Sequence, residues 1–451
     1  MADVCLYLGL VLSRTLAGAE GARPPERPAP LREVSRGMAS EESGGKRAWA
    51  GFKTVPPRVK SLIYLTSFSS IAYGYIIIAI TAYLPEVGLT TGDVGLLIGV
   101  NGLVFVLSAI PIGILADRRG RKTIFLLGMV GIPPSILVFA FTQELVPLLI
   151  ATSIAGLCEG GFASTWNALI ADQTTNENRT QAFSMSFIVG NASFGIGMAL
   201  PFVFPAIQDW TGLTSWEVHN YAYVAMAALA VVSPVLLWPL LRDYKEVMRP
   251  HVGLIRGDST KVLLKFSGIN SLIGLGAGFI IPLIATWMWL KFGVTDAWSG
   301  PLLAVSNITI GIAAMASAGL AKNLGMIKAI VLTQSVSTVF MLSLAFAPGA
   351  IMAAGLYLVR AALMNMAVPL LDSFMMGMIR KEERGFASAL NSIVWRLPNS
   401  ASTIVGGEIL EDGKYELPFF IAASFYAVGI TMFYFVFRKA KIRTDAEQEG
   451  L

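Results

Sequence analysis

Charge is scarce in this chain. Only 14% of its 451 residues are Asp, Glu, Lys or Arg, while 55% are hydrophobic. Soluble domains carry about a quarter charged residues, so much of this surface must meet something other than water. Cysteine is rarer still. Cys5 and Cys158 are the only two, which excludes a disulfide framework or a thiolate metal cluster. The two histidines, His219 and His251, are too few and too far apart for a histidine-based metal site. No GxxxxGK[ST] phosphate loop occurs, so ATP-driven pumping is not expected. No serine, cysteine or metal centre has convergent partners, so no enzyme, cofactor or metal is expected.

What the chain has instead is long apolar runs. Leu62–Leu84 contains no charged residue, and about 20 apolar residues suffice to cross a bilayer. Twelve such runs follow one another. They are Leu62–Leu84, Val94–Ala116, Thr123–Phe141, Leu145–Ile170, Ala182–Phe204, Tyr221–Leu241, Val262–Trp289, Gly300–Ala321, Ile327–Phe346, Ile351–Met378, Ala387–Ile409 and Leu417–Phe437. A bilayer admits only helices or closed barrels. Barrel strands would alternate apolar and polar residues, and these runs do not. The expected fold is an all-α membrane protein of twelve transmembrane helices.

The basic residues give direction. Ten of the 34 Lys and Arg precede the first run, and twenty more fall in loops on the same side. The opposite loops hold Lys291 and Lys414, and Arg360 and Arg396 lie inside runs. Basic loops stay in the cytoplasm, so both termini are expected there, in a multi-pass plasma-membrane protein. The formal net charge of +5 thus marks sidedness and contact with the lipid bilayer, and no nucleic-acid partner is expected. Trp210, Trp216, Trp287, Trp289 and Trp298 are expected in an aromatic belt at the outer boundary. The expected organisation is a disordered cytoplasmic tail over 1–57, six-helix halves over 58–241 and 262–437, a linker over 242–261 and a tail over 438–451. Arg23–Gly51 is rich in Pro, Gly, Ala, Ser and charge. Met38 offers an alternative start.

The halves are copies. A shift of 205 residues places Gly88, Thr90, Gly95 and Leu97 on Gly293, Thr295, Gly300 and Leu302. The same shift places Leu115, Ala116 and Gly120 on Leu320, Ala321 and Gly325, and Glu177, Arg179 and Ala182 on Glu382, Arg384 and Ala387. Six spans, an even number, preserve orientation. The repeats are therefore parallel, pseudo-symmetric bundles related by an axis along the membrane normal.

Between the second and third runs stands GILADRRGRKTIFLLG, Gly113–Gly128. Gly113 permits close helix approach, Gly120 permits a very short turn, and Asp117 closes a helix where it can meet arginines. This segment resembles the loop signature of the major facilitator superfamily. The resemblance covers roughly 58–440 at the level of fold. It implies a rocker-switch secondary transporter. In it Gly113, Asp117, Arg118, Gly120, Arg121 and Lys122 act in conformational change, latching the halves at the cytoplasmic face when the outer side is open. The second copy is degraded to LAKNLGMIK, with Lys322 in place of the acid. The later loops TNENRTQAF and RKEERGFAS resemble the family's paired loops, with Arg179 and Arg384 as their basic members. Span 4 departs from drug-exporter signatures. Gly156-Leu157-Cys158-Glu159-Gly160 carries an acid and no Arg.

A charge at mid-bilayer costs at least ~2.5–3.5 kcal/mol, which makes such residues functional candidates. Glu159 lies thirteen residues from Asp172, or about 20 Å along a helix and near the midplane. Arg396 sits at similar depth in span 11. By resemblance spans 1, 4, 7 and 10 line the cavity. Glu159 and then Asp372 are the proton-coupling candidates. Arg360, Arg396, Asn167 and Asn365 are the substrate-binding candidates, and either arginine could neutralise an acid. A structural ion pair is the competing reading. Tyr73, Trp166 and Trp395 are possible ligand contacts. Gly95, Gly99, Gly102, Gly195, Gly197, Ala314, Ser317 and Ala318 are expected to ease contact between halves. The expected protein is a monomeric, proton-coupled exporter of a drug-like molecule or metabolite. Uptake of an organic anion or metabolite is the alternative, and a non-transporting polytopic sensor or enzyme is the alternative of another class.

Overall fold

The computed structural model describes residues 52–175, 178–244, 258–379 and 384–440. Most of the expected first tail, most of the linker and the end of the last tail lie outside these residues, as do Met38, Glu177 and Glu382. The chain divides into two units, Met1–Lys53 and Thr54–Leu451, and the second is described below.

Twelve helical rods follow in order. They are α1 (Pro57–Glu86), α2 (Thr91–Arg119), α3 (Arg121–Phe141), α4 (Leu145–Asp172), α5 (Arg179–Ala199, continued through Leu200–Val203 and Phe204–Thr211) and α6 (Ser215–Leu241). The second six are α7 (Asp258–Gly278 and Ile284–Phe292), α8 (Asp296–Leu324), α9 (Met326–Ala345), α10 (Ala350–Met378), α11 (Arg384–Glu411) and α12 (Leu417–Phe437). Among the described residues, nine helices are long and apolar enough to cross a membrane. The repeat survives in the backbone. The starts of α2 and α4, at Thr91 and Leu145, fall 205 residues before those of α8 and α10. Gly120 and Gly325, one repeat apart, both hold positive φ, +106° and +80°. Positive φ with an extended ψ costs a side chain about 1–3 kcal/mol, so glycine permits the single-residue turns from α2 to α3 and from α8 to α9.

One end of the bundle carries the basic loops, including Arg118–Lys122. The other carries Glu86, Asp93, Glu408, Glu411 and Asp412. These are called the basic end and the acidic end. Capping boxes start helices at the acidic end: Thr90 with Asp93 for α2, and Thr214 with Glu217 for α6. Each satisfies two backbone donors that a helix terminus would leave open.

Three rods depart from simple spans. Span 7, expected to be continuous, breaks at 279–283, where Pro282 cannot donate a helical hydrogen bond. Ile280 and Leu283 are fully buried there, so the irregular backbone is enclosed by protein, as a membrane requires. In α1, Ala79–Tyr83 widens into a π-turn. Pro85 has no N–H for the Thr81 carbonyl four residues back. Trp287, expected in the aromatic belt, is instead completely buried, its N–H donating to the Tyr415 carbonyl at 3.1 Å. Trp210, Trp216 and Trp298 are exposed as expected.

The halves meet along α2–α11 and α5–α8. A Cβ at Gly95 would stand 2.8 Å from the Thr403 carbonyl, and one at Gly300 would collide with the Met198 carbonyl. Gly95 and Gly300 are 205 residues apart, as are Met198 and Thr403, so the two contacts are equivalent and the repeat holds across the interface. Gly99, Gly102 and Gly195 also face the opposite half, against Ser400, Ser400 and Ala304. Gly197 does not. It abuts Ile71 of α1 inside its own half, because it lies on the other face of α5. The side chains of Ala314 and Ala318 lie outside the described residues.

Candidate functional site

A cavity of about 1060 Å³ runs from mid-depth toward the basic end. Ile63, Thr66 and Ser70 of α1 form one wall, with Phe162, Trp166 and Asn167 of α4 and Phe183, Phe187 and Phe194 of α5. The second half supplies Ile308 and Arg396. The expected share from α7 and α10 is absent among the described lining residues.

Glu159 is held from two sides. Its Oε2 accepts from the Tyr73 hydroxyl at 2.9 Å. Its Oε1 accepts from Arg396 Nη2 of the other half at 2.8 Å. The guanidinium also lies 3.9 Å from the centre of the Phe105 ring, a cation–π contact. Glu159 and Arg396 side chains are 21% and 32% exposed, so both are partly desolvated yet reachable from the cavity. Trp166 stacks on Phe162 and Phe125 and donates to Ser186 Oγ at 3.0 Å. The result is an aromatic wall with one ion pair at its inner limit.

The other candidates are placed elsewhere. Arg360 is buried between α10 and α12, donating to the Tyr426 hydroxyl at 2.8 Å, and does not line the cavity. A buried guanidinium needs a polar partner, and α12 supplies this one. Asp372 is exposed on α10 and lines no described pocket. Asn365 donates to the Ala361 carbonyl of its own helix. Asn270 and Asn391 bond across α7 and α11 at 3.0 Å, a helix-joining use. Trp395 presses its backbone against Gly274.

The basic loop is tied within the first half. Arg121 Nη1 meets Asp172 Oδ2 at 3.1 Å, and Tyr244 donates to the same oxygen at 2.8 Å. Lys122 Nζ donates to the Arg242 carbonyl at 3.0 Å. Arg118 is exposed, and Gly113 faces Ser164 of α4. Arg179 donates to carbonyls at the end of α4. The side chains of Asp117 and Arg384 lie outside the described residues.

The acidic end is closed. Thr286 Oγ1 donates to the Thr81 carbonyl, the acceptor that Pro85 leaves open. These two threonines are 205 residues apart, so equivalent points of the two repeats touch. Gly92 N–H donates to Glu411 at 2.8 Å, and His219 Nε2 lies 2.8 Å from Asp296 Oδ2. Sequence reasoning missed His219 and Asp296. Their signal was available: a histidine and an acid within apolar helices, both near the same end.

The family profile described as Major Facilitator Superfamily matches residues 62–403. The inner membrane transport protein YajR of Escherichia coli K12 is 28% identical over 213 residues, 47% of this chain and 44% of that protein. The quinolone resistance protein NorA of Staphylococcus aureus MRSA252 is 27% identical over 164 residues, 36% and 40% of the two chains. The chain thus aligns with under half the length of these relatives. Among solved structures, a bacterial homolog of the human lysosomal transporter Spinster, inward-facing and unoccupied, superposes with a TM-score of 0.65 at 16% identity, covering 84% of this chain and 96% of that one. The nucleoside transporter NupG superposes with a TM-score of 0.64 at 12% identity, covering 86% and 100%.

Proposed function

Because this chain belongs to the major facilitator superfamily, we propose that it is a proton-coupled secondary transporter exporting an amphipathic, aromatic small molecule by alternating access. The Glu159–Arg396 bond carries the reading. It is an ion pair made across the two moving halves, at the end of a cavity large enough for a drug-sized ligand.

Protonating Glu159 would cancel its attraction for Arg396. The freed guanidinium could then leave, and the halves would lose a mid-depth tie. Re-forming the pair would expel the proton. A mobile proton and a mobile interface are thus coupled through one carboxylate. The aromatic wall of Phe162, Trp166, Phe183 and Phe187 supports an aromatic or apolar cargo, which would slide past without a fixed polar address. Arg396 would serve an organic anion only if released from Glu159, so anion uptake is the weaker reading. Nothing in the cavity gathers the groups an enzyme needs, and transport is the activity of this family.

By the excess of Lys and Arg, the basic end faces the cytoplasm of a plasma membrane and both termini lie there. The arrangement with a sealed acidic end is then the inward-facing one. The working unit is a monomer of two halves, 58–241 and 262–437, joined by a linker over 242–261. Proteoliposome flux under an imposed pH gradient tests the reading. Wild-type protein should accumulate or expel a dye-like aromatic substrate only with the gradient, and Glu159→Gln should abolish that dependence. Gradient-driven transport by Glu159→Gln would remove the residue from coupling.

A further inference from the structure

The seam at the acidic end holds a buried histidine–aspartate pair. His219 of α6 and Asp296 of α8 belong to opposite halves and are 1% and 4% exposed. His219 Nδ1 lies 2.7 Å from the Ser215 carbonyl oxygen. A carbonyl oxygen only accepts, so Nδ1 carries a hydrogen. The Ser215 hydroxyl, at 3.5 Å, is too far to compete. Nε2 must then meet Asp296 Oδ2, 2.8 Å away, through a proton. Without one, a nitrogen lone pair would face a carboxylate lone pair. The proton can sit on either atom, and the count for the pair is the same.

The neighbours make that proton necessary. Tyr83 of α1 stacks on the imidazole with ring centres 3.5 Å apart, and Phe204 of α5 meets it edge-on. The Tyr75 hydroxyl of α1 points to the His219 carbonyl, and Tyr223 lies on α6 itself. Glu86 of α1 accepts from the Asp296 backbone N–H at 3.2 Å. No lysine or arginine side chain meets Asp296 among the described residues. Loss of the proton would leave an uncompensated carboxylate inside a closed seam, with a second acid beside it. Breaking one side of a buried pair is costly, and opening the seam to water relieves it.

The repeat shows how Asp296 comes to be available. In the first half Thr90 and Asp93 close a capping box at the start of α2. At the equivalent start of α8, Thr295 makes no side-chain cap, and the acid stands at the first helical position instead. From there it reaches the other half.

We propose that His219 and Asp296 form a proton-binding site, distinct from Glu159, whose occupancy holds the acidic end shut. Closure takes up a proton there, and opening releases it. By reciprocity, pH at the acidic side sets the balance between closed and open seams. The transport consequence rests on the alternating-access reading above; the proton site does not.

The test uses the full chain with Cys5→Ser and Cys158→Ser, spin-labelled at Asp209→Cys and Asp412→Cys, exposed positions on opposite halves at the acidic end. Distances are read by double electron–electron resonance between about pH 5 and about pH 8, where histidine changes charge. The fraction of long distances should rise at least about twofold at the higher pH. Asp296→Asn removes the charge and supplies a permanent donor to the imidazole, so the seam should stay closed across the range. His219→Gln leaves the Asp296 carboxylate uncompensated, so long distances should dominate across the range. Glu159→Gln should keep the wild-type response. Distances indifferent to pH in the wild type, a response that survives both seam substitutions, or one lost in Glu159→Gln alone would overturn the proposal. Gradient-driven transport surviving in Glu159→Gln would sink the reading of the previous section and leave this one standing.

Discussion

Glu159 and Arg396 stand 237 positions apart in the chain, on different halves, and meet at 2.8 Å. Neither side chain is fully enclosed, at 32% and 21% exposure for Arg396 and Glu159. A double-mutant cycle measures the pair. Glu159→Gln and Arg396→Gln should each lower thermal stability. The double variant should lose less than the sum, with a coupling energy of roughly 1–3 kcal/mol, as for contacting residues. Additive losses would mean that the pair contributes nothing.

The close approach of Gly95 to Thr403 and Gly407 predicts a conformational defect rather than a folding defect. Gly95→Val places two methyl groups where the backbones touch, so the acidic end should fail to close. Flux should fall at least about tenfold, while the melting temperature shifts little, because each half keeps its own packing. A melting curve that collapses with the activity would contradict this.

Gly120 and Gly325 give a paired backbone prediction. Alanine at either must adopt positive φ with an extended ψ, at a cost of about 1–3 kcal/mol. The two substitutions should lower stability by similar amounts, measured as equal shifts in denaturant midpoint. A neutral result at one would show that the turns are not equivalent.

Lys291 and Glu416 form an ion pair at the acidic end, 2.8 Å apart. The hydrogen bond from Lys291 holds the Glu416 carboxyl below its usual range. A lowered folded value stabilises above the unfolded value, and the gain is lost as pH falls through the folded one. Glu416 is 47% exposed, so screening keeps the effect below about 1 kcal/mol. Lys291→Met should therefore lower stability slightly at neutral pH, by less than about 1 kcal/mol, and leave acid pH nearly unchanged, which flattens the acid side of the stability–pH curve.

Much of the fold was legible because a bilayer imposes a simple rule. Runs long enough to cross it must be helices, and the repeat and the loop Gly113–Gly128 indicated the family. Glu159 and Arg396 stood out because charge is expensive at mid-depth. Their pairing did not follow from depth alone, since Arg360 is equally charged and equally intramembrane. Packing sent Arg360 to Tyr426 and left Arg396 facing the cavity. The gate residues His219 and Asp296 were harder still. Each sits near a helix end, where polar residues are common, and 77 positions separate them.

The sequence alone determined the helices and the duplication, because these depend on hydropathy and period. Tertiary structure decided which end of the bundle is sealed, which arginine meets the acid and where a proton must sit. Those outcomes depend on the helix rotations and hydrogen-bond distances that bring separate halves together, and no local run of residues encodes them.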